Sequence, residues 1–200
     1  MNNLKKIENL NNRYFILRHG ESKANIQNII LSNPENGISD FGLTEKGVEQ
    51  VKSTMLGNND LDENTIIYSS DFARAKETAE IAKNILKINE IHFTKFLRER
   101  FFGNFEETDN TNYDNVWKHD KNDPNHEIEE VESVNQVLDR ATKLILTLEE
   151  KYQNKKILLV SHGDTLQILE TGFRKSCSST HRKIKSLETA ELRELKITLS

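Results

Sequence analysis

Residues 14–22 read YFILRHGES, four apolar positions running directly into Arg18, His19, Gly20 and Glu21. A short apolar run that stops at a polar loop is the pattern of a buried strand leaving a sheet. It returns in TIIYSSD (residues 65–71) and KILLVSHGD (residues 156–164), each followed by sequence of helical period. Strands that alternate with helices predict an α/β fold with a mainly parallel sheet covered on both faces. A weaker strand fits residues 91–96, and the alternating ELRELKI (residues 191–197) suits an edge strand.

Three helices are predicted between these runs. Over residues 133–152 Val134, Val137, Leu138, Ala141, Leu144, Ile145 and Leu148 make one stripe, opened by a Ser133–Gln136 capping box. Residues 45–56 place Val48, Val51 and Met55 on one face, with Thr44 as N-cap and Gly57 as a left-handed end. Residues 71–86 repeat Ala75, Ala79, Ala82 and Leu86 behind a Ser-Ser-Asp cap. Two segments fall outside this scheme. Residues 102–130, rich in Asn, Asp and Glu around Trp117, read as a long irregular insert: a functional lid or a solvated loop with anchoring aromatics. Residues 174–185, RKSCSSTHRKIK, are locally basic, as a charged turn or an anion-collecting patch would be.

The chain of 200 residues is long enough for one domain with its own core. Its single cysteine, Cys177, offers no internal disulfide, and the polar first twelve residues lack the apolar stretch of a secretory signal. A cytoplasmic setting is expected. No apolar run approaches the ~20 residues that span a bilayer. A net charge of −4 gives no overall pull toward nucleic acid. Neither membrane nor nucleic acid is therefore expected as a partner, and oligomeric state is not encoded in any pattern here.

In an open parallel sheet, ligands bind beyond the carboxyl ends of the strands. His19, Arg74 and His162 each follow one of the proposed strands, so all three should gather at one edge. Taken alone, His19 suits a structural histidine, a metal ligand or a nucleophile. With His162, Arg18 and Arg74, and no clustered cysteines or carboxylates, the set is poor for zinc or magnesium and good for a phosphoryl group. A neutral imidazole can attack phosphorus directly, forming a phosphohistidine. Gly20 lets the backbone turn and an oxyanion approach closely. Gly163 opens a helix whose free amides would add anion donors. Glu99, just past the weak strand, is the candidate proton donor; a surface glutamate paired with Arg98 or Arg100 is the competing reading.

LRHGES with Asn25, YSSDFARAKETAEI, LRERFFGNFEE and VSHGDTLQIL occur in this order and resemble the four successive signatures of the histidine phosphatase superfamily, in its phosphoglycerate-mutase-like branch. The resemblance runs from about Arg13 to the C-terminus. It implies a three-layer α/β/α sandwich over residues 13–200, behind a flexible N-terminal extension of residues 1–12, and catalysis without metal or other cofactor. It implies that His19 is the phosphorylated nucleophile, that Arg18, Asn25, Arg74 and His162 hold the phosphoryl group, beside the Gly163 amide already placed there, and that Glu99 donates the proton. His92, His119, His126 and His181 match none of the signatures and are expected in strand, loop or surface, with His181 a candidate for the pocket mouth. Val131 stands where this branch often has glycine, a change expected to alter the pocket wall.

The expected activity is hydrolysis of a small phosphorylated metabolite, such as a sugar phosphate or a fructose-2,6-bisphosphate-like ester, with Arg182 and Lys183 placed to meet a second phosphate. A phosphoglycerate mutase is the alternative. Against it stand a short stretch between Glu99 and His162 and an ERFFG motif (residues 99–103) where cofactor-dependent mutases have Glu-Arg-His-Tyr-Gly. A non-catalytic module that recognises a phosphorylated partner is a third reading, disfavoured because every expected position is filled.

Overall fold

The computed structural model describes residues 1–198. Its strands are β1 (Arg13–Arg18), β2 (Ile66–Ser69), β3 (Ile91–Phe93), β4 (Lys156–Ser161) and β5 (Leu192–Leu195). They form one sheet in the order β3-β2-β4-β1-β5, parallel throughout except for β5, which runs antiparallel to β1 at the edge. The helices are α1 (Lys23–Ile26), α2 (Pro34–Gly37), α3 (Glu45–Leu56), α4 (Ala73–Leu86), α5 (Tyr113–Asp120), α6 (Val134–Lys151) and α7 (Gly163–Phe173).

The two-residue period of β1 explains the three layers. Tyr14 and Ile16 join the core built with α6 and α7, whereas Phe15 and Leu17 join the core built with α3 and α4. All four are buried because helices cover both faces, which is why the strand is continuously apolar. The architecture is the expected α/β/α sandwich. Among the described residues no helix is long and apolar enough to cross a membrane.

Several local expectations are corrected. Residues 1–12 pack instead of forming a flexible extension: Leu4 is fully buried in the α6–α7 core, Asn3 donates to Thr142 Oγ1 at 3.0 Å, and Asn2 donates to the Gly172 carbonyl at 3.1 Å. Gly57 ends α3 with φ −80°, right-handed instead of left-handed. The third strand is shorter than residues 91–96, because Thr94 caps a turn of 3-10 helix at Lys95–Leu97. Helix α4 starts at Ala73 behind Phe72, while Asp71, the expected cap, pairs with Arg98 at 2.6 Å. The Ser133–Gln136 capping box forms as read.

The insert is not irregular. It carries α5 and a core of its own in which Phe102, Val116 and Val131 bury Ile30, with Phe105 and Tyr113 against them. Backbone bonds tie it to the loop after α1, from Ile30 to Thr108 at 2.9 Å and from Glu107 to Ile30 at 2.8 Å.

Candidate active site

Strand register brings the three motif loops together. Leu17 faces Val160 across β1 and β4, and Ser69 faces Val160 across β2 and β4. His19, Ser70 and His162 therefore leave three adjacent strands at one edge. The His19 N–H donates to the Ser161 carbonyl at 3.0 Å, and the Ser70 N–H to the Val160 carbonyl at 3.0 Å. Behind His19, α3 approaches so closely that a Cβ on Gly20 would lie 2.5 Å from the Gly47 carbonyl oxygen, and one on Gly47 would lie 2.0 Å from that of Glu21. Gly20 is thus required here by backbone packing, a reason different from the oxyanion approach read from sequence.

The two imidazoles meet edge to face with ring centroids 5.2 Å apart, and both are buried. His19 Nδ1 lies 2.8 Å from the Gly20 carbonyl oxygen. A carbonyl only accepts, so Nδ1 carries the proton and Nε2 keeps its lone pair. Nε2 accepts from Arg74 Nε at 3.1 Å. Burial, then the charges of Arg74 and Arg18, hold the His19 imidazole well below its ordinary 6.5, so the ring is neutral near pH 7. His162 is shifted the same way, by burial first and then by Arg74 and His19. Its Nε2 lies 2.9 Å from Ser70 Oγ, and Phe72 packs against its ring at 5.2 Å.

Arg74 is anchored by a bond from Nη2 to the Leu31 carbonyl at 2.8 Å, and Arg18 by one from Nη1 to the Leu187 carbonyl at 2.7 Å. Among the described residues, Arg18 Nε, Arg74 Nη1 and His162 Nδ1 are buried without a hydrogen-bond partner. Unpaired buried donors are costly, and an oxyanion is the group that would satisfy two guanidinium N–H groups together. Gly163 opens α7 beneath Arg18, with His162 as its N-cap. Asn25 lies in α1, where its side-chain oxygen accepts from the Ser22 N–H at 3.0 Å and completes a capping box with the N-cap Ser22.

Glu99 is not the surface glutamate of the competing reading. Arg98 is taken by Asp71 and Arg100 by Asp120, while Glu99 Oε1 accepts from the Arg100 N–H at 3.0 Å, the Thr165 N–H at 3.3 Å and Thr165 Oγ1 at 3.2 Å. Burial, then the Asp164 charge, raise its carboxyl above the ordinary 4.5, with Arg74 pulling in the opposite direction. A cleft of about 850 Å³ opens against Glu99, walled by Ser32, Phe101, Val131 and Glu132 among others. Val131, the departure noted in the sequence, is thus part of the wall. Tyr113 of the insert is close enough for the charges of Glu99 and Arg74 to act on its hydroxyl, which burial chiefly pushes upward.

Other residues are placed unexpectedly. Arg182 does not extend toward the imidazoles as a free cation: it lies 3.6 Å over the Trp117 ring and bonds Gln167. Arg174 pairs with Glu170 at 2.7 Å. His181 is fully buried between Asp120 and Asp164, neither surface nor pocket mouth, and His92 stacks on Tyr68. Sequence reading missed Ser70, Thr165 and Tyr113. Ser70 stood in a quoted motif but was read as part of a helix cap.

Residues 14–199 match the family model of the histidine phosphatase superfamily (branch 1). A Bacillus subtilis (strain 168) protein named uncharacterized phosphatase PhoE is 29% identical over 161 residues, covering 78% of this chain and 74% of that one. The probable phosphoglycerate mutase GpmB of Escherichia coli O1:K1 / APEC is 31% identical over 163 residues, covering 78% and 71%. The native structure of a mycobacterial glucosyl-3-phosphoglycerate phosphatase shares the fold, with a TM-score of 0.75 at 21% identity over 91% of this chain and 88% of that one. Fold, motif order and family model agree, and the chain belongs to the histidine phosphatase superfamily, branch 1.

Proposed function

We propose that this protein is a metal-independent phosphomonoester hydrolase that works through a phosphohistidine at His19 on a small phosphorylated metabolite. The observation that carries the reading is the hydrogen bonding of His19, which assigns its tautomer. Its Nδ1 is bound to a carbonyl, so the lone pair lies on Nε2, which meets Arg74 in a cluster where Arg18 Nε and His162 Nδ1 are left without partners among the described residues. In the first step Nε2 attacks phosphorus in line, the ester P–O bond breaks, and Glu99 gives its proton to the leaving alkoxide. In the second, Glu99 takes a proton from water as the oxygen attacks phosphorus, and the P–N bond breaks to release phosphate. Arg18, Arg74, His162, Asn25 and the α7 N-terminus offset the charge spread over the equatorial oxygens.

The raised carboxyl of Glu99 suits a group that starts protonated. The cleft beside it fits a leaving group of metabolite size. Its guanidinium groups are already committed, Arg98 to Asp71 and Arg140 to Glu132, and Arg182 is held by Trp117 and Gln167. A sugar phosphate therefore fits, with Lys95, among the described residues, the cation of the cleft lining left to meet a second phosphate. The likeness to GpmB keeps a mutase as the second reading.

Phosphate release from a panel of sugar and nucleotide monophosphates, beside isomerisation of 3-phosphoglycerate with and without 2,3-bisphosphoglycerate, separates the two. Release should dominate and fall at least about a thousandfold in His19→Ala. Isomerisation without release would establish the mutase, and undiminished turnover in His19→Ala would refute both.

A further inference from the structure

Where the insert meets α7 lies a buried ionic cluster that none of these steps uses. Arg100, the residue after Glu99, is fully buried. Its guanidinium donates to both oxygens of Asp120 at 2.7 and 2.8 Å, to Asp164 Oδ2 at 3.3 Å, and from Nε to the Glu132 carbonyl at 2.6 Å. Asp120 is the last residue of α5 in the insert, and Asp164 lies in the first turn of α7, two residues beyond His162. His126 Nε2 sits 2.6 Å from Asp120 Oδ1, and His181 Nε2 lies 3.7 and 3.6 Å from the two carboxylates.

The two flanks of this cluster are also the supports of Glu99. Oε1 of Glu99 is held by the backbone N–H of Arg100 and by the N–H and hydroxyl of Thr165, the neighbour of Asp164. A planar guanidinium bound on two edges has one orientation, and a buried cation that loses its carboxylate is strongly penalised, so the cluster holds one arrangement. We propose that Arg100, clamped by Asp120 and Asp164, is a positioning residue through which the insert fixes the carboxyl of Glu99 for proton delivery to the leaving oxygen. Docking of the insert and readiness of the acid are then one event. The inference rests on Glu99 being that acid.

Leaving-group dependence distinguishes a misplaced acid from a damaged fold. The kcat/KM value covers the steps up to loss of the alcohol, and only a poor leaving group needs its proton. Asp120→Asn, Arg100→Lys and the milder His126→Ala are compared with the wild type on glycerol 2-phosphate and p-nitrophenyl phosphate, with thermal unfolding as the check on folding. Asp120→Asn should lower kcat/KM about 10- to 100-fold on the alkyl ester and less than about threefold on the nitrophenyl ester. His126→Ala should show the same asymmetry in smaller measure, and Asp120→Glu should restore part of the alkyl rate. Equal losses on both esters in the folded variants would overturn the positioning role. Glu99→Gln, run in parallel, should lower kcat/KM on the alkyl ester alone, while kcat falls on both esters because the same carboxyl activates water in the second step. If that variant is indifferent to the leaving group, the acid role fails, and the positioning role with it.

Discussion

At His19 the nitrogen that faces the cluster is decided by the one that faces away, since the Gly20 carbonyl takes the only proton a neutral ring carries. Glu99 shows the opposite control, a carboxyl that burial keeps protonated above its ordinary range. The folded state binds that proton more tightly than the unfolded chain does. Stability therefore falls as pH rises from about 4.5 through the folded pKa, and above that window a buried carboxylate is being paid for. Glu99→Gln should accordingly raise the melting temperature near pH 7.5 and give no gain near about pH 4. Melting curves at both values check this, and an equal gain at both would contradict it. Arg18, His19, Arg74 and His162 were legible in the sequence because strand ends announce themselves. Glu99 could be named from its place after the weak strand. Only resemblance raised it above a surface glutamate paired with Arg98 or Arg100, since Thr165, which holds it together with the Arg100 N–H, comes from a separate segment. The Arg100 cluster was hidden because its members come from four segments with no shared spacing.

Among the elements, β1, β2, β4, α3 and α6 were readable because each meets its own period and caps. Helix α5 was not, since eight residues in an Asn- and Asp-rich stretch carry too little stripe to register, and Val116 is buried in a cluster with Ile30, Phe102 and Val131 that local sequence does not announce. The joint of that insert is Gly103. It has φ +55°, and an added Cβ would fall 2.0 Å from the Glu129 carbonyl oxygen. Gly103→Ala should cost about 1–3 kcal/mol, from conformational strain and displaced backbone. Gly57→Ala, at φ −80°, should cost little. Urea unfolding of the two variants tests the contrast, and equal midpoints would contradict it.

For the whole molecule, the order β2-β4-β1 sets three functional loops side by side, and the apolar alternation of β1 seats them between two cores. That much followed from the βα pattern. The packing of residues 1–12 did not, because Leu4, Ile7 and Leu10 are three apolar positions scattered in a polar run too short to register as an element, although all three meet the core beside α6 and α7. On the proposed reading, the sandwich holds one imidazole lone pair, two guanidinium groups and a carboxyl of raised pKa around a single phosphoryl position. Rapid acid-free quench of the enzyme with radiolabelled phosphomonoester, followed by peptide mapping, tests this most directly. Acid-labile, alkali-stable label should appear on the peptide containing His19 within one turnover and be absent from His19→Ala; turnover by the wild type with no label on that peptide, or label elsewhere, would contradict the account.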